Sequence, residues 1–197
     1  MNLRIRHTLF SVALGLIALV TINTCAGAEE LRLPNIFTDH AVLQQNSPIA
    51  IWGWGEPGEK VTVAIADQVK ETNAGEDGRW AVNLTPMKAG GPHEITVTSA
   101  ASTITLKDVL IGEVWLASGQ SNMQWSIKNT DNWEEELARS DNDSIRFAMV
   151  FREHSPDPLD DLRGLTPWAA CTGESLSSCY NGEGFSAVSY SFAKYLQ

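Results

Sequence analysis

Asp108-Val109-Leu110-Ile111-Gly112-Glu113-Val114-Trp115-Leu116-Ala117-Ser118, followed by Gly119-Gln120-Ser121-Asn122, is where this 197-residue sequence changes character. The run to Ser118 is apolar almost throughout and lacks the alternation of a half-buried strand. It predicts a strand covered on both faces in an α/β sheet. The polar, glycine-flanked turn that follows would then expose Ser121 at the carboxyl edge of that sheet, where α/β proteins place their ligands. A serine hydroxyl is a weak nucleophile at neutral pH. It needs a base to take its proton, and the oxyanion formed on its substrate needs fixed N–H donors, which a turn after a strand presents. Met123 stands where the last glycine of a Gly-x-Ser-x-Gly elbow would be, so the pattern alone also reads as a strand-terminating loop.

Upstream, from Leu31 to about Leu106, short alternating runs are punctuated by turn residues. Ile49–Trp54 precedes Glu56-Pro57-Gly58-Glu59, and Val61–Ile65 precedes a polar stretch. Asp77-Gly78 separates Glu71–Asn73 from Trp80–Leu84, and Glu94–Thr98 and Ser102–Leu106 continue the hairpin pattern. This predicts a small antiparallel β-sandwich. Downstream, Asp131–Arg139 has helical composition and Ile145–Phe151 reads as a second buried strand. Phe185, Val188, Phe192 and Leu196 share one face of a helix over Phe185–Leu196. The expected organisation is residues 1–28 as a signal peptide, 29–107 as the sandwich and 108–197 as the amino-terminal part of an α/β domain. About 90 residues with two candidate parallel strands are too few for a sheet covered on both faces, so the expectation is a fragment of a larger protein.

Composition narrows the function classes. With 43% hydrophobic and 19% charged residues the balance is that of a globular protein. Against 14 Lys and Arg stand 24 Asp and Glu, a formal charge of −10 with no basic cluster, which argues against nucleic acid as a partner. Arg4 and Arg6, the apolar stretch Leu9–Val20 and the small residues Ala26-Gly27-Ala28 form an export signal, cleaved after Ala28 to leave a periplasmic or secreted chain with no membrane anchor. Outside the cytosol the remaining Cys171 and Cys179 are candidates for one small-loop disulfide. Two thiols do not complete a zinc site, and His40, His93 and His154 lie far apart, so no metal is expected.

Several residues admit two readings. Trp52 and Trp54 fall on the same face of a strand and suit either the sandwich core or a sugar-stacking platform. Trp125 and Trp133, close after Ser121, are candidates for lining a pocket. His154 reads as a solvated loop histidine and His40 as structural. Glu134-Glu135-Glu136 reads as a solvated helix face, because consecutive carboxylates do not face one another. Asn83-Leu84-Thr85 and Asn142-Asp143-Ser144 match the glycosylation pattern.

Gly112-Glu113-Val114-Trp115-Leu116-Ala117-Ser118-Gly119-Gln120-Ser121-Asn122-Met123 closely resembles the nucleophile block of the sialate O-acetylesterase family, a branch of the SGNH (GDSL-like) hydrolases. Leu33–Gln44 resembles the family's amino-terminal opening, Ile51–Glu59 its first hairpin and Phe185–Ala193 the helix after the nucleophile block. The resemblance implies a three-layer, flavodoxin-like hydrolase domain that removes an acetyl ester from a sugar, typically a sialic acid, through a serine acyl-enzyme. Carried over by position, Ser121 is the nucleophile and its own N–H an oxyanion donor. Gly184 is a candidate second donor, and Gly119, Gln120 and Asn122 support the turn. The family's later oxyanion block and its Asp-x-x-His have no counterpart, since Phe37, Gly90 and Phe151 stand three residues before the histidines. The chemistry needs no cofactor. The expected function is therefore an exported carbohydrate esterase acting on an O-acetylated sugar; the alternative is a non-catalytic carbohydrate-binding sandwich with a vestigial hydrolase segment.

Overall fold

The structure is a computed structural model describing residues 30–196; the expected signal peptide lies outside the described residues. Seven strands come first: β1 (Val42–Gln44), β2 (Ile49–Trp54), β3 (Lys60–Ile65), β4 (Gln68–Asn73), β5 (Arg79–Leu84), β6 (Gly90–Thr98) and β7 (Thr103–Gly112). Burial alternates residue by residue along β3 and β5, as a period of two requires when one face is packed and the other wet. Five strands form a sheet in the order β1-β7-β6-β3-β4, and β2 pairs with β5. Side chains from both sheets, among them Ile51, Val61, Val63, Trp80, Leu84, Ile95, Val97 and Val109, fill one core.

The expected strands are present, but their pairing departs from a purely antiparallel sandwich built of hairpins. Short β1 runs parallel to β7, with Val42 opposite Leu110, so the larger sheet is mixed. Asp77-Gly78 does not close a hairpin between β4 and β5. The chain there crosses from one sheet to the other, and β5 pairs antiparallel with β2 instead. Gly78, at a φ of 75°, supplies the left-handed turn, and Asp77 Oδ1 accepts from Arg79 N. True hairpins join β3 to β4 and β6 to β7.

The stretch that opens the sequence reading divides in two. Asp108–Gly112 is the end of β7, where Val109 and Ile111 are buried in the first core between β1 and β6. Residues 113–120 form no strand. Leu116 is 91% exposed and Trp115 60%, which corrects the expectation of a strand covered on both faces. The reason is pairing: among the described residues no strand lies beside Val114–Ala117, so their backbone is not laddered and their side chains stay largely exposed.

The remainder is built from short elements: α1 (Trp133–Ala138), β8 (Asn142–Phe147), β9 (Ala169–Cys171), α2 (Gly173–Ser178) and α3 (Ala187–Tyr195). The second expected strand is found as β8, displaced toward the amino terminus, and it pairs antiparallel with β9 rather than parallel with anything. A smaller core gathers Ile127, Ile145, Phe147, Leu176, Tyr190 and both cysteines. Thr172 caps α2 by accepting from Ser175 N, and Ser186 caps α3 by accepting from Ser189 N.

The two parts are tied by polar contacts. His40 Nδ1 lies 2.6 Å from Asp108 Oδ2, and Arg146 Nη2 of β8 donates to the same oxygen at 3.1 Å. Asn35 N donates to Asp161 Oδ1, Asn35 Nδ2 to the Leu162 carbonyl and Trp168 Nε1 to the Ile36 carbonyl, each at 2.9 Å.

Candidate active site

Ser121 opens a short 3-10 turn, Ser121–Gln124, and is exposed. Gln120 precedes the turn, and its carbonyl accepts from Met123 N at 2.9 Å. Asn122 continues it, its carbonyl accepting from Trp125 N at 3.3 Å. The N–H groups of Ser121 and Asn122 stand first in the turn and have no acceptor among the described residues, the condition a donor must meet to be available to an oxyanion. Gly119 is small for a packing reason: a Cβ there would lie 2.5 Å from Met123 Cγ, so any side chain would force the Met123 side chain to move.

The turn is held from behind. Ile127 N donates to the Phe185 carbonyl and Ala187 N to the Trp125 carbonyl, both at 2.9 Å, and Ser126 Oγ donates to the Glu183 carbonyl. Trp115 meets Phe192 of α3 edge to face, with ring centroids 5.2 Å apart. Trp125 is half exposed and pinned through Nε1 to the Asn129 carbonyl at 3.2 Å, which leaves a fixed aromatic surface four residues from the serine. Trp133 is half buried as the first residue of α1.

Three expectations are corrected. Gly184 N donates to the Cys179 carbonyl at 2.9 Å, so this N–H is turned inward and is not an oxyanion donor in this arrangement. Gly184 is a glycine for other reasons: its φ is 101°, and a Cβ would lie 2.6 Å from Ser126 Oγ. Cys171 and Cys179 are free thiols rather than a disulfide. Each faces its own partner, Cys171 Sγ the Ser140 carbonyl at 3.3 Å and Cys179 Sγ the Met149 sulfur at 3.6 Å. Burial, with Asp141 nearby, pushes the Cys171 thiol up to about 11, and burial raises Cys179 too, so both stay protonated and unreactive. Trp52 and Trp54 share a face by parity yet differ in fate. The backbone of Arg32 bridges to Trp54 and its guanidinium lies 3.7 Å from the ring centroid, so Trp54 is buried, whereas Trp52 stays 39% exposed.

No histidine hydrogen-bonds Ser121 among the described residues. His40 is engaged with Asp108, both residues sitting at positive φ, and His154 lies on an exposed loop. The hydrogen bond from His40, assisted by Arg146, holds the Asp108 carboxyl below its ordinary range. Nothing in the sequence pairs His40 with Asp108, 68 positions away; only the tertiary fold brings them together. Among the described residues there is also no group of three or more His, Cys, Asp or Glu that could hold a metal ion.

No protein-family profile matches the chain. It is 35% identical to the sialate O-acetylesterase of Mus musculus over 200 residues, covering 95% of this chain and 36% of that protein. The Homo sapiens sialate O-acetylesterase is 35% identical over 179 residues, covering 84% and 34%. A solved structure described as a novel carbohydrate acetylesterase from Xanthomonas citri superposes with a TM-score of 0.78 at 33% identity, covering 85% of this chain and 37% of that one. The chain thus spans about a third of the length of the relatives it matches. Likeness in sequence along most of the chain and likeness in fold agree, and the chain belongs to the sialate O-acetylesterase family.

Proposed function

We propose that this chain carries the nucleophile of a carbohydrate O-acetylesterase, with Ser121 attacking the acetyl carbonyl of an O-acetylated sugar, a sialic acid or a related one. The supporting observation is the exposed Ser121 at the head of a turn whose Ser121 and Asn122 N–H groups are unused. Ser121 Oγ would form the acyl bond as the sugar oxygen leaves, and the two N–H groups would hold the negative oxygen of the tetrahedral intermediate. Trp125 would lie against the sugar ring. In the same reading, the first part, which runs past the expected boundary at residue 107 to the end of β7 at Gly112, is an accessory β-sandwich, and the residues after it belong to an SGNH-like α/β unit, on a chain exported by the signal at residues 1–28. Because no base touches Ser121 among the described residues, turnover requires a histidine–carboxylate pair brought to the turn by further polypeptide.

The test compares the protein and its Ser121→Ala variant on p-nitrophenyl acetate and an O-acetylated sialic acid. Both are assayed alone and as chimeras in which residues 30–196 replace the matching part of the Xanthomonas citri acetylesterase. The chain alone is expected to show no serine-dependent turnover. The chimera is expected to hydrolyse ester and to lose at least about a thousandfold in kcat on Ser121→Ala. A chimera that turns over equally with alanine at position 121 would remove Ser121 from the mechanism. The rival reading, a purely carbohydrate-binding sandwich, loses half its proposed platform with the burial of Trp54.

A further inference from the structure

A groove of about 490 Å³ lies between the outer face of β2 and the segment 150–163, and none of its lining residues belongs to the Ser121 turn. Its wall on the β2 side is Trp52, propped edge to face by Phe37 with ring centroids 4.7 Å apart. Ile36 and Phe151 add apolar surface, and Glu153, Asp157 and Arg163 add charge. The opposite wall is joined to the first part by the bonds from Asn35 and by the ion pair of Arg79 with Asp160. The carboxylates of Glu153 and Asp157 and the guanidinium of Arg163 have no hydrogen-bond or ion-pair partner among the described residues.

We propose that this groove is a non-catalytic binding site for a neutral oligosaccharide. A sugar ring offers an apolar C–H face, which matches an exposed indole, and a rim of hydroxyls, which match free carboxylate acceptors and a guanidinium donor. The volume falls within the ordinary range of small-molecule sites. Charge selects among sugars: Glu153, Asp157 and Asp161 line the groove against Arg163, with Asp160 already paired to Arg79, so a carboxylate-bearing sugar such as a sialic acid is repelled and an uncharged one is not. The site would hold an acetylated glycan by its neutral backbone, independently of whether Ser121 is the nucleophile.

Isothermal titration of the full chain with neutral hexasaccharides (β-1,4-glucose, β-1,4-xylose and α-1,4-glucose), and with N-acetylneuraminic acid, tests this. Saturable binding of at least one neutral hexasaccharide is expected. Its affinity should fall about tenfold in Trp52→Ala and severalfold in Asp157→Asn, stay unchanged in Val69→Ala, an exposed β4 position outside the groove, and exceed that for N-acetylneuraminic acid by about tenfold or more. Asp157→Asn lies on an exposed loop and decides the matter if Trp52→Ala does not fold. The proposal is overturned by no binding of any neutral hexasaccharide, by affinity indifferent to both groove variants, by tighter binding of the sialic acid, or by a loss in Val69→Ala equal to that in Trp52→Ala.

Discussion

The two parts of the chain solve burial differently. In the first, sixteen buried side chains, thirteen of them from two sheets, share one core, and every strand from β1 to β7 has a partner. In the second, seven buried residues sit among a two-stranded pair and short helices, while Leu116, Trp115, Val188, Phe192 and Tyr195 remain exposed. The contrast follows from where the partners come from. Strands of period two find their neighbours within a compact stretch of chain, so their pattern is satisfied locally. Val114–Ala117 has the apolar density of a strand covered on two faces, and the described residues offer it no neighbouring strand, only the edge-to-face contact of Trp115 with Phe192.

The comparison is broken most severely by core truncation. Ile51→Ala, at a position wholly buried in the larger core, is expected to cost about 2–5 kcal/mol in urea unfolding. Leu176→Ala, equally buried in the smaller core, should instead lower amide-exchange protection in α2 and α3 while leaving β3 and β6 protected as before. If Leu176→Ala strips protection from β3 and β6 too, the two parts unfold as one and the contrast fails.

A smaller effect is expected at the junction. Asp108→Asn removes the carboxylate that bridges His40 to Arg146, whose side chain is only 4% exposed, and should cost about 2 kcal/mol at neutral pH. The sign with pH is determined by the depressed folded value of Asp108. Its contribution is complete above the ordinary 3.8 and disappears as pH falls through the lower folded value. The stability gap between wild type and variant should therefore close in strong acid. A gap that persisted there would mean that charge at Asp108 is not what joins the parts.

The smallest effect sharpens the comparison from the other side. Leu116→Ser should change stability by no more than about 0.5 kcal/mol, because the side chain is already in water, while lowering the binding of a hydrophobic dye. A loss above about 1.5 kcal/mol, in the range of a buried leucine, would show Leu116 covered in solution.

Much of the first part was legible in the sequence because alternation and turn residues are local properties. The strands from β2 to β6 and the start of β7 lie where the pattern predicts, though β7 runs on past Leu106 to Gly112, and α1 and α3 begin and end within a few residues of expectation. The Ser121 turn was legible only in part: Gly119-Gln120-Ser121-Asn122 does lead into a turn, but residues 113–120 before it form no strand for the turn to end. Which strands pair was not legible: Asp77-Gly78 has the chemistry of a hairpin turn, but whether a turn doubles back or crosses between sheets depends on what the next strand can bury.

The sequence by itself determined the alternation that builds the larger core, the caps of α2 and α3 and the exposure of Ser121 at a turn, because each rests on residues adjacent in the chain. Tertiary structure alone decided the rest. It set β1 parallel to β7, turned the Gly184 N–H onto Cys179, gave Cys171 and Cys179 separate partners, and laid Arg32 over Trp54 while leaving Trp52 in a groove. It also joined His40, Asp108 and Arg146. In each case the outcome turns on distances between segments far apart in sequence, which no local pattern encodes and only the packed fold sets.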